Sequence, residues 1–104
     1  MPASAVPIVN PRTIAWRLIG KWINVKGKWG RELKGRLVFS DRYLNFELEL
    51  VEQYDGETLL SLMQNTLLRW DVVEYFRELN DEECERIVSN WQSRGDFYEF
   101  QQQN

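Results

Sequence analysis

Two runs of strict alternation occupy the middle of the chain. Leu33, Gly35, Leu37 and Phe39 alternate with Lys34, Arg36 and Val38. After Ser40-Asp41, the apolar Leu44, Phe46, Leu48 and Leu50 alternate with Asn45, Glu47, Glu49 and Val51. A period of two over this length predicts an antiparallel hairpin at 31–51 with one buried face. The outer face would set Lys34 and Arg36 against Glu47 and Glu49, and opposite charges across strands are favourable.

The pattern changes on both sides of the hairpin. Asn10-Pro11 offers an N-cap followed by proline at the first helical position. Ile14, Ala15, Leu18 and Ile19 then recur at helical spacing. These features predict a short helix at 11–19, followed by a strand at 21–28 and a turn around Trp29. Asp55-Gly56 marks another turn. Residues 57–68 fit a strand followed by a loop, or a helix; pattern alone leaves both open. In Trp70 to Leu79, the apolar Val72, Val73, Phe76 and Leu79 fall at helical spacing, so a helix is expected there. Asn80-Asp81-Glu82-Glu83 supplies a cap and an acidic first turn for a further helix. Its apolar stripe is Cys84, Ile87, Val88 and Trp91, and Gly95 can end it. Phe97, Tyr98 and Phe100 could form a short last strand.

The expected organisation is a loose arm at 1–10, one globular domain at 11–101 and a polar tail at 102–104. The fold class is α+β, a small antiparallel β-meander with two C-terminal helices. With 104 residues and 43% hydrophobic content, the chain is long and apolar enough for one core.

Composition removes several chemistries. The chain has no histidine and one cysteine, Cys84. Histidine-based nucleophile systems are therefore excluded, and a zinc site would have only carboxylates beside one thiol. Cys84 lies on an apolar helical stripe and reads as an inert thiol. No catalytic residue, metal or cofactor is expected. A single cysteine, and an N-terminus without a basic segment before an apolar run, fit a cytoplasmic protein. No apolar run reaches the length of a membrane helix, so no membrane partner is expected.

Charge is divided unevenly. Residues 1–38 hold eight basic side chains and one acid, a net of +7, while 39–104 hold five basic and fifteen acidic, a net of −10. Trp16, Trp22 and Trp29 all lie in the basic third. Basic side chains track phosphates and aromatic faces stack on bases. The candidate binding residues are Trp29, Lys21, Lys26, Lys28, Arg31, Lys34 and Arg36, with Trp29 exposed at a turn and Trp22 in the core. The expected function is a non-catalytic binding or adaptor module. Its basic, Trp-bearing surface would meet an acidic protein partner or a single-stranded nucleic acid. A homodimer, with the basic third of one chain against the acidic remainder of another, would also occupy the strip.

Gly20-Lys21-Trp22, preceded by Leu18-Ile19, and Gly35-Arg36-Leu37-Val38-Phe39 leading into an alternating strand give a different reading. From 18 to 50 the chain resembles the opening of lipocalin-like (calycin) barrels. That resemblance implies a short lipocalin-like β-barrel acting as a carrier for a small apolar ligand, with Trp22 closing the barrel floor.

Overall fold

In the computed structural model, which describes residues 11–94, helix α1 (Pro11–Arg17) leads into strand β1 (Trp22–Gly27). Strands β2 (Glu32–Ser40), β3 (Phe46–Asp55) and β4 (Thr58–Leu68) follow. A 3-10 turn (Trp70–Val72), strand β5 (Val73–Glu78) and helix α2 (Asp81–Arg94) complete the described chain. The strands form one antiparallel sheet in the order β4-β3-β2-β1-β5. A β-meander is thus present, with β5 added beside β1. Among the described residues no helix is long and apolar enough to cross a membrane.

Three expectations need correction. First, the sheet is open, with β4 and β5 at its edges, so it is not a closed calycin barrel, which needs about eight strands. Second, the two helices flank the sheet in sequence, one before it and one after. Residues 70–78 form a 3-10 turn and a strand instead of the helix expected over 70–79. Third, 58–68 is a strand throughout. The proposed strand at 97–100, the glycine cap at 95, the arm and the tail lie outside the described residues.

The hairpin forms, but bulges redirect its faces. A β-bulge places two residues opposite one and turns the following side chains over. Leu37 pairs with Leu48, yet Phe39 pairs with Glu47, so Val38 is the extra residue. Phe39 therefore emerges on the wet face and is 54% exposed, while Ser40 turns inward. A second bulge lies between Lys34, which pairs with Glu52, and Arg36, which pairs with Glu49. Leu50 sits there at φ 55. It points to one side of the sheet and Val51 to the other, and both are fully buried. Of the expected outer pairs, Arg36 meets Glu49 in an ion pair, whereas Lys34 lies opposite Glu52.

The sheet consequently has two cores. The larger contains Ala15, Leu18, Ile23, Leu37, Phe46 and Leu48, with Val25, Leu33, Val51 and Val73 around them, and α1 covers it. Apolar burial of this kind is the main favourable term in folding. The smaller core sets Ile87 and Trp91 of α2 on Leu50, with Trp22 partly buried at its border. Trp22 is thus a half-buried rim residue, with Arg36 stacked 5.6 Å from its ring centre.

Polar contacts also hold α2 in place. Asn80 and Glu83 form a capping box. The Glu83 N–H donates to Asn80 Oδ1 (2.8 Å), and the Asn80 N–H donates to Glu83 Oε1 (3.1 Å). Asn80, not Asp81, is therefore the cap. Glu83 also accepts two hydrogen bonds from Arg77 of β5, at 3.0 and 2.9 Å, and lies 3.7 Å from Lys34 of β2. Further along the helix, Asn90 donates to the buried Glu52 (2.9 Å), which also accepts from the Tyr54 hydroxyl (2.9 Å). Burial, followed by the hydrogen bond to Glu52, pushes Tyr54 up to about 12.

The Arg77 hydrogen bonds, helped by Asn80 and Lys34 and opposed by burial, hold Glu83 down to about 2. A carboxylate depressed by folding stabilises above its unfolded pKa, and that contribution fades as pH falls towards the folded value. Urea melts of the wild type should therefore lose stability between pH ~4.3, the ordinary carboxylate value, and about 2. Glu83→Gln should be less stable at pH 7 and show a flatter acid limb; an unchanged limb would remove Glu83 from that role.

Candidate functional site

Between β2 and β3 lies the pentapeptide Asp41-Arg42-Tyr43-Leu44-Asn45. Asp41 organises it. Its carboxylate accepts the backbone N–H groups of Tyr43 (2.8 Å) and Asn45 (3.0 Å), and Nδ2 of Asn45 (3.0 Å). Such turns are the natural use of aspartate and asparagine side chains. The hydrogen bonds from Asn45, first backbone and then side chain, lower the Asp41 pKa and keep it an acceptor. Leu44 is held at φ 65, with its side chain buried. The turn therefore has an apolar anchor as well as a polar frame.

Asn45 joins this turn to a second segment. Its Oδ1 accepts the backbone N–H of Trp70 (3.0 Å), at the start of the 3-10 turn. The amide is thus clamped from both ends, yet one Nδ2–H and one Oδ1 lone pair remain for a ligand. Around it, Tyr43, Asn45, Arg69, Trp70 and Asp71 line a cleft of about 300 Å³. Tyr43 is 62% exposed. The Arg42 guanidinium lies 4.9 Å from its ring centre and hydrogen-bonds its hydroxyl (2.8 Å). Arg69 is 3.2 Å from Asp71 and mostly solvated. A second, apolar cleft of about 310 Å³ adjoins it, with Phe39, Phe46, Leu67 and Leu68 in its wall.

This cleft offers an aromatic face, an oriented amide and guanidinium groups. Among the described residues it holds no nucleophile paired with a base. The arrangement can bind a planar polar group by stacking and edge hydrogen bonds, with a cation for an attached anion.

The basic strip is placed differently. Lys21 pairs with Glu78, Lys34 with Glu83, and Arg36 with Glu49. Lys34 also lies 5.0 Å from the Tyr54 ring centre. Lys26 is half-buried on β1. Only Lys28, Trp29 and Arg31 share one exposed feature, the β1–β2 turn. The strip is therefore divided, and the basic third meets the acidic remainder within one chain. Tyr43, Asn45, Arg69 and Trp70 were not singled out by sequence reasoning. The available signal was an aromatic and two polar turn-formers, Asp41 and Asn45, between alternating strands. Cys84 is half-buried, and burial followed by its acidic neighbours raises its pKa, which makes it a poor nucleophile.

Comparison with known proteins identifies the class. The LSM domain model matches residues 16–78, so the chain belongs to the LSM domain family. Among its relatives, the probable small nuclear ribonucleoprotein F of Arabidopsis thaliana is 40% identical over 78 residues, which covers 74% of this chain and 89% of that one. The structure of a Pyrococcus abyssii Sm protein in complex with a uridine heptamer superposes with a TM-score of 0.65 at 25% identity. That match covers 68% of this chain and all of the other. A heptameric archaeal Sm protein shares the fold, with a TM-score of 0.61 at 22% identity over 65% of this chain and 98% of its own. The family match and the open sheet together overturn the lipocalin-like reading and its apolar cargo.

Asn45→Ala should remove one of the three hydrogen bonds to Asp41 and free the Trp70 N–H, while the backbone N–H groups of residues 43 and 45 still reach Asp41. Stability should fall by about 1 kcal/mol, the net worth of hydrogen bonds whose freed groups can reach water. Urea denaturation would show it; an unchanged midpoint would mean that the clamp does not hold the cleft.

Proposed function

We propose that this chain is a non-catalytic Sm-type subunit that binds single-stranded, uridine-bearing RNA as part of a ring. The observation that carries the proposal is the Asp41–Asn45–Trp70 clamp, which presents an exposed Tyr43 ring, a half-free amide and Arg69 around one cleft. Uracil has a planar face and an edge with an N–H donor beside carbonyl acceptors. Tyr43 fits the face, the remaining donor and acceptor of Asn45 fit the edge, and Arg69 fits a phosphate. The related Sm protein bound to a uridine heptamer supports that choice of base, as does the likeness to ribonucleoprotein F proteins.

Ring assembly follows from the sheet edges. Among the described residues β4 and β5 each have one unpaired side, and exposed edges are pairing sites. β4 also exposes Leu59, Leu60 and Leu67, the last at 74%. Pairing of β4 with the β5 edge of a neighbour is head-to-tail, and such interfaces form rings when the rotation between subunits closes. The shared fold with a heptameric Sm protein supports this closure. A ring replaces the homodimer suggested by charge, because the opposite charges are already paired within the chain.

Two measurements test the proposal. Tyr43→Leu should weaken oligouridine binding by about 1–3 kcal/mol, the scale of one stacked base. Arg69→Ala should weaken it and lower its salt slope by about 0.7, the release of one phosphate contact to a single strand. Melting temperatures should hardly change. Wild-type protein that fails to bind oligouridine at low salt would refute the RNA reading. Leu67→Asp should shift the protein towards smaller species in analytical ultracentrifugation, by placing a charge in the β4 contact. An unaltered sedimentation profile would remove β4 from the assembly interface.

A further inference from the structure

The β1–β2 turn is not used by the cleft, yet it has the parts of a binding surface. Its backbone is closed by two hydrogen bonds, from the Gly27 N–H to Arg31 O (2.9 Å) and from the Gly30 N–H to Gly27 O (3.0 Å). The Trp29 indole folds back over Gly27 so closely that a Cβ at position 27 would overlap its six-membered ring. The glycine therefore acts as a seat. One side of the indole packs on backbone, and the residue is still 43% exposed. An aromatic ring held in this way presents its other side with little conformational entropy left to lose.

Two further observations distinguish the turn. Lys28 and Arg31 flank Trp29 and, like Arg17, Lys26 and Arg42, have no ion-pair partner among the described residues, but at this turn two such cations flank one exposed indole. By contrast, Lys21, Lys34, Arg36, Arg69, Arg77 and Arg86 each meet a carboxylate. In addition, the Lys28 N–H donates to Val72 O (2.9 Å). Val72 is the last residue of the 3-10 turn that begins at Trp70 in the cleft. Trp29 and the cleft are therefore carried on segments tied directly to each other.

We infer that the β1–β2 turn is a second contact for single-stranded RNA, with Trp29 stacking on a base and Lys28 and Arg31 meeting phosphates of nucleotides beyond the Tyr43–Arg69 cleft. The inference rests on the RNA reading of that cleft and extends it. RNA is favoured over an acidic protein because the turn combines a flat aromatic face with flanking cations, the combination that sequence-tolerant single-strand binders use.

The test compares strand lengths on the assembled protein. Wild type, Trp29→Leu, Trp29→Phe and the double variant Lys28→Ala/Arg31→Ala are titrated with oligouridines of about seven and about fifteen nucleotides, lengths within and near the top of known single-strand site sizes. Thermal melts check the fold of each variant. Trp29→Leu should leave the short strand unchanged and weaken the long one about tenfold, as loss of one stacked base does. Trp29→Phe, which keeps a ring, should recover most of that loss. The double variant should lower the salt slope for the long strand by about 1.4, the counterion release of two phosphate contacts to a single strand. The double variant also tests the site should Trp29→Leu fail to fold. Equal binding of the long strand by wild type and both turn variants would overturn the inference and leave the cleft intact. So would an equal loss for both lengths, or an acidic peptide that binds at Trp29 where the long strand does not. Failure of wild type to bind even the short strand would remove the cleft reading, and this inference with it.

Discussion

The close approach of β2 and β3 at Gly35 is the constraint on which the rest of the molecule depends. A Cβ at this position would lie 3.0 Å from Glu49 O and 3.0 Å from Val51 Cγ2. Any side chain there would push the strands apart where Leu50 takes its positive φ. The bulge at this point sends Leu50 to one face and Val51 to the other. A single sheet can then bury apolar residues on both sides, with α1 over one core and α2 over the other. A flat sheet of five strands with one wet face would have no place for Ile87 and Trp91.

The same geometry explains the charge split. A net of +7 followed by −10 suggests a need for a partner only while the chain is read as a line. In the folded sheet, β2 lies between β1 and β3 and beneath α2. Its cations therefore meet acids that are distant in sequence, Arg36 with Glu49 and Lys34 with Glu83. These pairs are partly shielded from solvent, unlike Arg86–Glu82 on the open face of α2, where exposed pairs contribute little. What the pairing leaves over is informative. Among the described residues, Lys28 and Arg31 are two of the cations without an ion pair, and they share one turn with a seated tryptophan.

Legibility in the sequence followed local regularity. β2 and β3 were readable because their alternation is long, and α2 because a capping box precedes an apolar stripe. β4 was ambiguous because it is an edge strand; both its faces are half-wet, which erases the alternation that marks a half-buried strand. β5 was misread for a specific reason. Val73 pairs with Gly27 and Tyr75 with Lys26, so Glu74 is an extra residue. That bulge sets Val73 and Phe76 on the same core at a spacing of three, which imitates a helix. The lipocalin-like resemblance failed similarly. A glycine-x-tryptophan before an alternating hairpin describes how a sheet begins, and whether it closes depends on strand number. Trp29 was legible as an exposed turn residue, but its seat on Gly27 depends on a side chain folding back across the turn. The cleft was not legible because it exists only in three dimensions. Asn45 and Trp70 are 25 residues apart, and each looks like an ordinary turn or apolar residue when read alone.

Those two residues show how a small fold can build a candidate binding site without a large cavity. The buried Leu44 fixes one end of the β2–β3 turn and Asp41 fixes its hydrogen bonds. Asn45 then spends half of its amide on holding the turn and the 3-10 segment together. The remaining half is oriented before any ligand arrives, so little ordering cost is left for binding. Tyr43 needs only to stand clear of the surface, which the positive φ of Leu44 permits by turning the backbone sharply. Each element is weak alone, and one cleft of about 300 Å³ holds too few contacts for tight binding by a single subunit. Repetition around the proposed ring would change that balance. Linked clefts that take successive nucleotides bind at high effective concentration, so affinity rises without any new contact. In the proposed assembly, ring closure through the sheet edges and a modest, preorganised cleft would therefore be parts of one design. The first would supply the number of sites, and the second would keep each of them ready.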